Sequence, residues 1–323
     1  MLADHCTLYN AALQERRDAY AHPSQTKIRS RSRFDTVEFP KDGDGCRWES
    51  VPHDRQTRVR LQGVGHVRVH QHRPIAGTVK TISVKWEGNR WYVILSCDDV
   101  PAEPLPATGR VVGIDMGVTH FLVTSADEYV TNPRPTRSTA DRLAAAQRAL
   151  DAFPKKVRAT NRTRKHRLAA RKVARLNAKV RRERLDHAHK AANFLVRSAD
   201  VIAHENLAVV NMVRRPKPRQ SLDGTYAPNG AAAKAGLNRS ILDAGWGVFL
   251  EILTHKAECA GRKLISVNPA QTSRACPACG HVAKENRDRE IFECTACGHR
   301  DHADHVAALN IAQRAGLALR AVA

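Results

Sequence analysis

Four of the eight cysteines in the chain have the spacing of a metal site. Cys276 and Cys279 form one C-x2-C pair, Cys294 and Cys297 form a second, and the insert between them has the length of a hairpin. Thiolates in this order are typical of a tetrahedral zinc site. The alternative, two disulfide bonds, is disfavoured because nothing else in the chain indicates secretion. The pattern therefore predicts a zinc ribbon with a structural Zn²⁺.

Asp115 follows an apolar run that begins at Arg110 and has the composition of a buried strand. An acid that closes such a strand is costly to bury unless it binds something, and a metal ion is the usual partner. Gly113 and Gly117 on either side of Asp115 would permit a close approach. The alternative is an aspartate that only caps or closes a turn, and the local sequence leaves both interpretations open.

Two further acids lie at predicted element ends. Glu205 closes a short apolar strand, at the edge where open α/β sheets place their chemistry, although a solvated strand-end acid fits the local sequence equally well. Asp304 shares the packing face of the last helix with Ala307, Ala308 and Ile311, and Asp301 is the predicted N-cap of that helix. A capping role for Asp304 beside Asp301 is the alternative. A buried acid on a packing face favours metal ligation.

Together, Asp115, Glu205 and Asp304 could hold two divalent cations about 4 Å apart. One cation would activate water and the other would stabilise a leaving 3′ oxygen. Ligands that are all oxygen atoms favour Mg²⁺ or Mn²⁺ over zinc.

Composition indicates the kind of partner. The 323 residues are 42% hydrophobic, enough for two or three domains with real cores. The chain has 53 lysine and arginine residues against 32 acidic residues, which gives a formal net charge of +21. Such an excess favours a polyanionic binding partner, of which nucleic acid is the first candidate. An apolar run of about 18 residues that could span a bilayer is absent, as is a signal-peptide pattern. The remaining cysteines are scattered, which fits a reducing cytoplasm.

A long basic helical region is predicted from Asp141 to Arg197. Ala169, Val173, Leu176 and Val180 recur at spacings of 4, 3 and 4, which predicts a buried seam with basic side chains around it. A solvated charged face is the usual interpretation of such a run, but one this one-sided favours contact with phosphates. The predicted nucleic-acid-binding residues are Arg162, Arg164, Lys165, Arg167, Arg171, Lys172, Arg175, Arg181, Arg182 and Arg184.

The other segments are predicted from periodicity and turn residues. Alternation from Phe34 to about Cys97 predicts a small antiparallel β domain, with a hairpin turn at Glu87-Gly88-Asn89. Residues Leu8 to Tyr20 have the pattern of an amphipathic helix, which a basic linker follows. Arg214 to Lys234 is predicted to be a mobile loop, and Ser240 to open a helix that runs to about Gly261.

Several motifs in order carry a resemblance to a known family. They are GIDMG at 113–117, HENL at 204–207, DAGWG at 243–247, the CPACG and CTACG knuckles, and D-x-x-x-A-L-N-I from Asp304. This set resembles the RuvC-type nuclease of TnpB, the OrfB proteins of insertion sequences, which are related to the ancestors of type V CRISPR effectors. The resemblance extends over nearly the whole chain from Leu8 onward.

The resemblance implies an α/β, RNase H-like (RuvC) nuclease with inserted basic helices, a zinc ribbon and an N-terminal antiparallel β-barrel-like wedge domain. It implies Asp115, Glu205 and Asp304 as catalytic acids, and a bound noncoding RNA that guides cleavage of double-stranded DNA in a prokaryotic cytoplasm, at the nucleoid. DNA joining would need a separate transposase, since the sequence shows no obvious tyrosine nucleophile. The implied domains are a remnant of the helical recognition region (1–33), the wedge (34–104), the nuclease (105–270, with its basic helical insert at about 141–197), the zinc ribbon for target nucleic acid (271–298) and the closing helix (299–323).

Two departures from the family pattern support an alternative. Val306 stands where the family usually has asparagine, and the segments around the first helix are missing or shortened. These departures favour a truncated, weakly active or inactive RNA- and DNA-binding regulator, or a decayed transposase copy. A third hypothesis gives the ribbon and basic helices only a structural, nucleic-acid-binding role. The intact acidic triad favours the nuclease.

Overall fold

The structure, a computed structural model, describes residues 35–50, 56–87, 90–155, 157, 161–220 and 226–316. The predicted amphipathic helix, the basic linker after it and the turn residues 88–89 lie outside this part of the chain. The described residues fall into two compact units. One draws on the chain up to Pro101 and on Leu143–Ala178, and the other on Ala102–Arg142 and the chain from Lys179 onward.

The first unit contains two antiparallel sheets of three strands each, with orders β1-β5-β6 and β2-β3-β4. Buried apolar side chains alternate with exposed ones, as in β3, where Val59 and Leu61 are buried and Arg58 and Arg60 are exposed. This confirms the antiparallel strands predicted from alternation. The strands are β1 (Thr36–Phe39), β2 (Cys46–Trp48), β3 (Arg58–Leu61), β4 (Gly65–Arg68), β5 (Thr78–Glu87) and β6 (Arg90–Asp98).

The second unit is built on a mixed five-stranded sheet of order β13-β10-β7-β8-β9. Strands β7, β10 and β13 are parallel, whereas β7, β8 and β9 are joined as an antiparallel meander. The strands are β7 (Val111–Met116), β8 (His120–Thr124), β9 (Tyr129–Thr131), β10 (Val201–Glu205) and β13 (Lys263–Val267), with a short ladder of β11 (Arg219–Gln220) and β12 (Tyr226–Ala227) before the last strand.

The predicted basic helical region from Asp141 to Arg197 is divided into two helices, the first of which begins earlier, at Pro135. The described helices are α1 (Pro135–Asp151), α2 (Arg164–Ser198), α3 (Val209–Met212), α4 (Ala231–Ala244), α5 (Trp246–Cys259) and α6 (Ala303–Arg314). In α2, Leu176 and Val180 are buried and Ala169 and Val173 are partly buried, as the predicted seam requires. Among the described helices, none is both long enough and apolar enough to cross a bilayer.

The region around Gly245 differs from the prediction. Ser240 does not open a helix but lies inside α4, and Gly245 separates α4 from α5 in a left-handed conformation with φ of 72°. A side chain at Gly245 would also meet Arg184, whose Cδ lies 2.5 Å from the position of an ideal Cβ. The predicted loop was likewise too long, since α4 already begins at Ala231.

A three-stranded antiparallel sheet consists of β14 (Arg287–Asp288), β15 (Ile291–Glu293) and β16 (Arg300–His302). The first cysteine pair precedes β14, and the second lies in the connection between β15 and β16. Phe292 of β15 is fully buried beside Val306 of α6, so the sheet and the helix share a small apolar core. The chain passes from β16 directly into α6.

Helix α6 crosses the central strand β7 at Gly113. An ideal Cβ on Gly113 would lie 2.3 Å from the backbone oxygen of Ala308 and 2.6 Å from the backbone nitrogen of Ala312. The predicted packing face of α6 is confirmed, because Asp304, Ala307, Ala308 and Ile311 are all buried. The close approach that Gly113 permits is therefore that of a helix backbone to the strand.

We predict that Gly113→Ala lowers the free energy of unfolding by at least about 1–3 kcal/mol, the cost of overpacking a tight core, because the neighbours are backbone atoms that cannot rotate away. Gly236→Ala is the matched control, since Gly236 lies in α4 with open space around it, and there alanine should stabilise the helix by up to about 1 kcal/mol. Urea unfolding of both variants measures the difference. Equal stability of the two variants would contradict the proposed contact.

Candidate active site and zinc centre

Asp115 and Glu205 lie side by side on neighbouring parallel strands. The register of β7 and β10 pairs Ile114 with His204, and Asp115 and Glu205 are the next residues along the two strands. Both acids thus lie at the same carboxyl edge of the sheet, as the sequence predicted for strand-end acids.

Asp304 reaches this edge from the first turn of α6, although its cap differs from the prediction. The N-cap is His302, whose Nδ1 accepts a hydrogen bond from the backbone N–H of Asp304 at 3.3 Å. Asp301, the predicted N-cap, instead accepts from the backbone N–H of His302 at 2.6 Å and pairs with His305 at 2.7 Å. The prediction placed the cap one residue early because β16 extends through His302 before the helix begins.

The electrostatics show that the three acids are close enough to interact. Burial, together with the negative charges of Glu205 and Asp304, raises the pKa of Asp115 to about 8, although the positive charge of Arg287 acts in the opposite direction. Burial also raises the pKa of Glu205, against a hydrogen bond from Thr272 and the charges of Arg314 and Arg287. At neutral pH Asp115 therefore tends to hold a proton that a bound cation would displace.

Arg287 enters this cluster from β14, in the insert between the two cysteine pairs. Its Nη2 atom lies 3.0 Å from Oδ1 of Asp304, and the side chain is partly buried. The sequence analysis did not single out Arg287, because in the sequence it is one of several charged residues in a hairpin insert. Its position, seven residues before Cys294, carried no periodic signal.

Thr272 and Asn310 form a buried link from α6 to Glu205. The Thr272 hydroxyl donates a short hydrogen bond to Oε1 of Glu205 and also lies 3.0 Å from the backbone oxygen of Pro269. The side-chain amide of Asn310 donates to the backbone oxygens of Thr272 and Ala275, each at 2.7 Å. One helix thus carries Asp304 and fixes the turn that holds Glu205. Thr272 was missed in the sequence, and Asn310 was noted only as part of the motif that begins at Asp304, without a role.

The donor atoms of the acids are more widely spaced than those of a preformed one-ion site. Among the described residues, two groups have ligand atoms that all lie within 4.8 Å of one another: the four cysteines, and His120 with His302 and Asp304. The ligand atoms of Asp115, Glu205 and Asp304 do not all lie within that distance of one another. The three acids therefore lie at one edge of the sheet, where the charges of Glu205 and Asp304 act on Asp115, without forming a preformed site for a single ion.

The four predicted cysteines converge on one point. The Sγ atoms of Cys276 and Cys297 lie 3.6 Å apart, as do those of Cys279 and Cys294. A regular tetrahedron around zinc, with Zn–S bonds of about 2.3 Å, has edges of about 3.8 Å. The geometry and the donor type therefore fit a structural zinc ion.

Asn286 ties the two cysteine knuckles together and was also missed by the sequence analysis. Its buried side-chain amide donates to the backbone oxygens of Arg274 and His281, beside the first knuckle. Its Oδ1 accepts from the backbone N–H and hydroxyl of Thr295, in the second knuckle.

The predicted phosphate-binding residues are mostly accessible. Arg184 differs, because its Nε donates to the backbone oxygen of Asp243 at 2.8 Å and its Nη2 lies 3.2 Å from the Asp243 carboxylate. Arg162 is also partly buried. The exposed members are Arg164, Lys165, Arg167, Arg171, Lys172, Arg175, Arg181 and Arg182.

Comparison with known proteins gives two family matches. Residues 82–215 match the OrfB/IS605 family, described as a probable transposase, and residues 246–311 match the Cas12f1-like TNB domain. The chain is 32% identical over 290 residues to InsQ of Escherichia coli (strain K12), which is provisionally named an RNA-guided DNA endonuclease, and this match spans 88% of the chain and 69% of InsQ.

A relative from Streptomyces pristinaespiralis with the same provisional name is 35% identical over 246 residues, which cover 76% of this chain and 54% of that protein. Among solved structures, the alignment with the protein chain of the Cas12f1–sgRNA–target DNA complex covers 93% of this chain and 74% of that chain, at 18% sequence identity. Its TM-score of 0.42 is too low to establish a shared fold. On the match to InsQ and the OrfB/IS605 match, the chain belongs to the TnpB family, the OrfB proteins of IS605-type transposons, whose relatives are named RNA-guided DNA endonucleases.

Proposed function

We propose that this chain is an RNA-guided, divalent-metal-dependent DNA endonuclease in which Asp115, Glu205 and Asp304 are the catalytic acids. The observation that carries the proposal is the convergence of these acids, from two strands and a helix, on one sheet edge where their charges interact. Family membership supplies the substrate class, since the curated relatives are named for RNA-guided DNA cleavage.

The strand order supports an RNase H-like, RuvC-type domain. An antiparallel meander, β7 to β9, is extended by the parallel strands β10 and β13, and α6 returns to pack on the first strand. Such a sheet places acids from the first strand, the fourth strand and the closing helix together.

The chemistry of the donors fits Mg²⁺ or Mn²⁺, because the cluster offers carboxylate oxygens. Bound there, such ions would supply an activated water and stabilise the leaving 3′ oxygen. The chain itself holds Glu205 in place through Thr272. Arg287 places a guanidinium beside Asp304, where it can pair with a phosphate of the bound strand.

The exposed basic side chains of α2 support binding of guide RNA and target DNA. Phosphate neutralisation by such residues gives affinity without sequence readout, so sequence choice would rest on base pairing by the guide. The four-cysteine sheet lies within the segment that matches the Cas12f1-like TNB domain, and we assign it to contact with target nucleic acid. The antiparallel β unit takes the role of the wedge domain.

The first test removes one catalytic acid. Asp115→Asn should lower Mg²⁺-dependent DNA cleavage by more than about 100-fold, because loss of even an outer partner of a metal ligand costs about 10–100-fold. The protein is purified from its host with its co-purifying RNA, and the complex is tested on a DNA library with randomised flanks. RNA content should remain unchanged.

Asp141→Asn is the matched control, since Asp141 is an exposed acid of α1 outside the cluster. Equal cleavage by the wild type and Asp115→Asn would remove the catalytic assignment. If the wild type and Asp115→Asn both bind RNA and DNA but neither cleaves DNA, the alternative role of an RNA- and DNA-binding regulator is favoured.

The second test concerns the positioning of Glu205. Thr272→Val removes the hydroxyl that holds Oε1 of Glu205 at nearly constant volume, so it should raise the Mg²⁺ concentration needed for half-maximal cleavage by about 10–100-fold. Thr272→Ser keeps the hydroxyl and should restore most of the metal response. If serine and valine behave alike, the hydrogen bond does not position Glu205.

The third test concerns the zinc centre. Cys279→Ser should lose the bound zinc and the cooperative unfolding of the three-stranded sheet, because metal binding and folding are coupled in such small sites. Cys259→Ser, at an exposed cysteine outside the cluster, is the control and should keep both. Zinc content and thermal unfolding are measured on the purified chains. A zinc-free Cys279→Ser chain that unfolds like the wild type would contradict a structural role for zinc.

A further inference from the structure

A second group of potential metal ligands lies beside the acidic cluster. His120 of β8, His302 at the end of β16 and Asp304 each offer a ligand atom, and these atoms all lie within 4.8 Å of one another. Neither histidine has a role in the nuclease site proposed above. The group therefore shares one residue, Asp304, with the proposed nuclease site.

His120 carries the clearest sign of a missing partner. Its Nδ1 atom is buried and has no hydrogen-bond partner within the described part of the chain. Buried polar atoms in proteins nearly always have a partner, so an unpartnered ring nitrogen on a member of this three-residue group needs an explanation. A bound cation would provide one, because a neutral imidazole nitrogen is a strong metal ligand.

His302 is already oriented for such a role. Its Nδ1 accepts a hydrogen bond from the backbone N–H of Asp304, which fixes the orientation of the ring. The other ring nitrogen, Nε2, is therefore the atom that could bind an ion. Metal-binding histidines commonly have one nitrogen fixed in this way while the other binds the ion.

Of the two carboxylate oxygens of Asp304, one pairs with an arginine and the other is available to bind an ion. Oδ1 pairs with Arg287 at 3.0 Å, whereas Oδ2 faces the backbone at Gly117, 3.9 Å from the position of an ideal Cβ. The absence of a side chain at Gly117 therefore keeps space open beside Oδ2.

Aromatic packing is the competing explanation. The ring of Tyr129 lies 5.0 Å from that of His120 and 5.7 Å from that of His302, both edge-to-face. Such contacts account for the proximity of the rings, but they leave Nδ1 of His120 without a partner.

We propose that His120, His302 and Asp304 form a site for a transition-metal ion of the zinc type, distinct from the ribbon. Two imidazoles and one carboxylate suit Zn²⁺ and its neighbours, whereas Mg²⁺ prefers sites built of oxygen ligands alone. An ion held there uses Oδ2 of Asp304 while Arg287 holds Oδ1. It therefore takes Asp304 from the Mg²⁺ site and inhibits cleavage.

The binding site is tested by counting zinc. Equilibrium dialysis at micromolar Zn²⁺ with millimolar Mg²⁺, followed by metal analysis, should give two zinc ions per wild-type chain and one in His120→Ala and in His302→Ala. His305→Ala is the control, because His305 pairs with Asp301, and it should keep two. Thermal unfolding and the ribbon zinc report whether each variant is folded.

One zinc per wild-type chain, or two in both histidine variants, would overturn the site. The inhibitory role rests on the proposed nuclease function and has its own test. Zn²⁺ should inhibit Mg²⁺-dependent cleavage by the wild-type complex, and His120→Ala should need at least about tenfold more Zn²⁺ for the same inhibition, the lower end of what one lost partner costs.

Equal sensitivity of the two complexes would overturn the competition for Asp304. A complex that cleaves no DNA at all would instead count against the nuclease proposal, and the zinc count would still decide the site.

Discussion

The contact between α6 and β7 at Gly113 determines the geometry of the candidate active site. With backbone atoms of α6 where a side chain of Gly113 would begin, the helix axis cannot move toward or away from the strand without opening the core. Asp304 and Ala308 are one helical turn apart on the same face, so the depth of the helix sets how near Asp304 comes to the sheet edge. Glycine at this position is thus a geometric requirement.

Bringing three acids to that edge has an electrostatic cost that the chain meets in several ways. Asp115 tends to stay protonated, Glu205 accepts a hydrogen bond from Thr272, and Arg287 pairs with Asp304. Each of these responses reduces the repulsion between carboxylates in a partly desolvated place. The protein can therefore fold with the acids together, and a cation that bound there would replace a proton on Asp115.

Local signals in the sequence predicted the strands of the central sheet, the packing face of α6 and the strand-end positions of Asp115 and Glu205. Apolar runs that end in Asp115 and Glu205, the packing face of α6 and the C-x2-C pairs are all legible in short windows. The sequence did not reveal the roles of Arg287, Thr272 and Asn310, because each acts through a contact with a residue that is distant in the sequence. The helix break at Gly245 was missed for a related reason, since it depends on a left-handed glycine that also makes room for Arg184.

The cysteine-bearing sheet and the acidic cluster are parts of one structure. Arg287 comes from β14, His302 from the end of β16, and the next residues begin the helix that carries Asp304. Val306 of that helix packs against Phe292 of the same sheet, so the apolar core below the cysteines fixes the first turn of α6. A change at the cysteines should thus reach the acids through a few covalent bonds and a fully buried contact. Through this short path, a metal ion held by the four cysteines would influence the positions of Asp304 and Arg287.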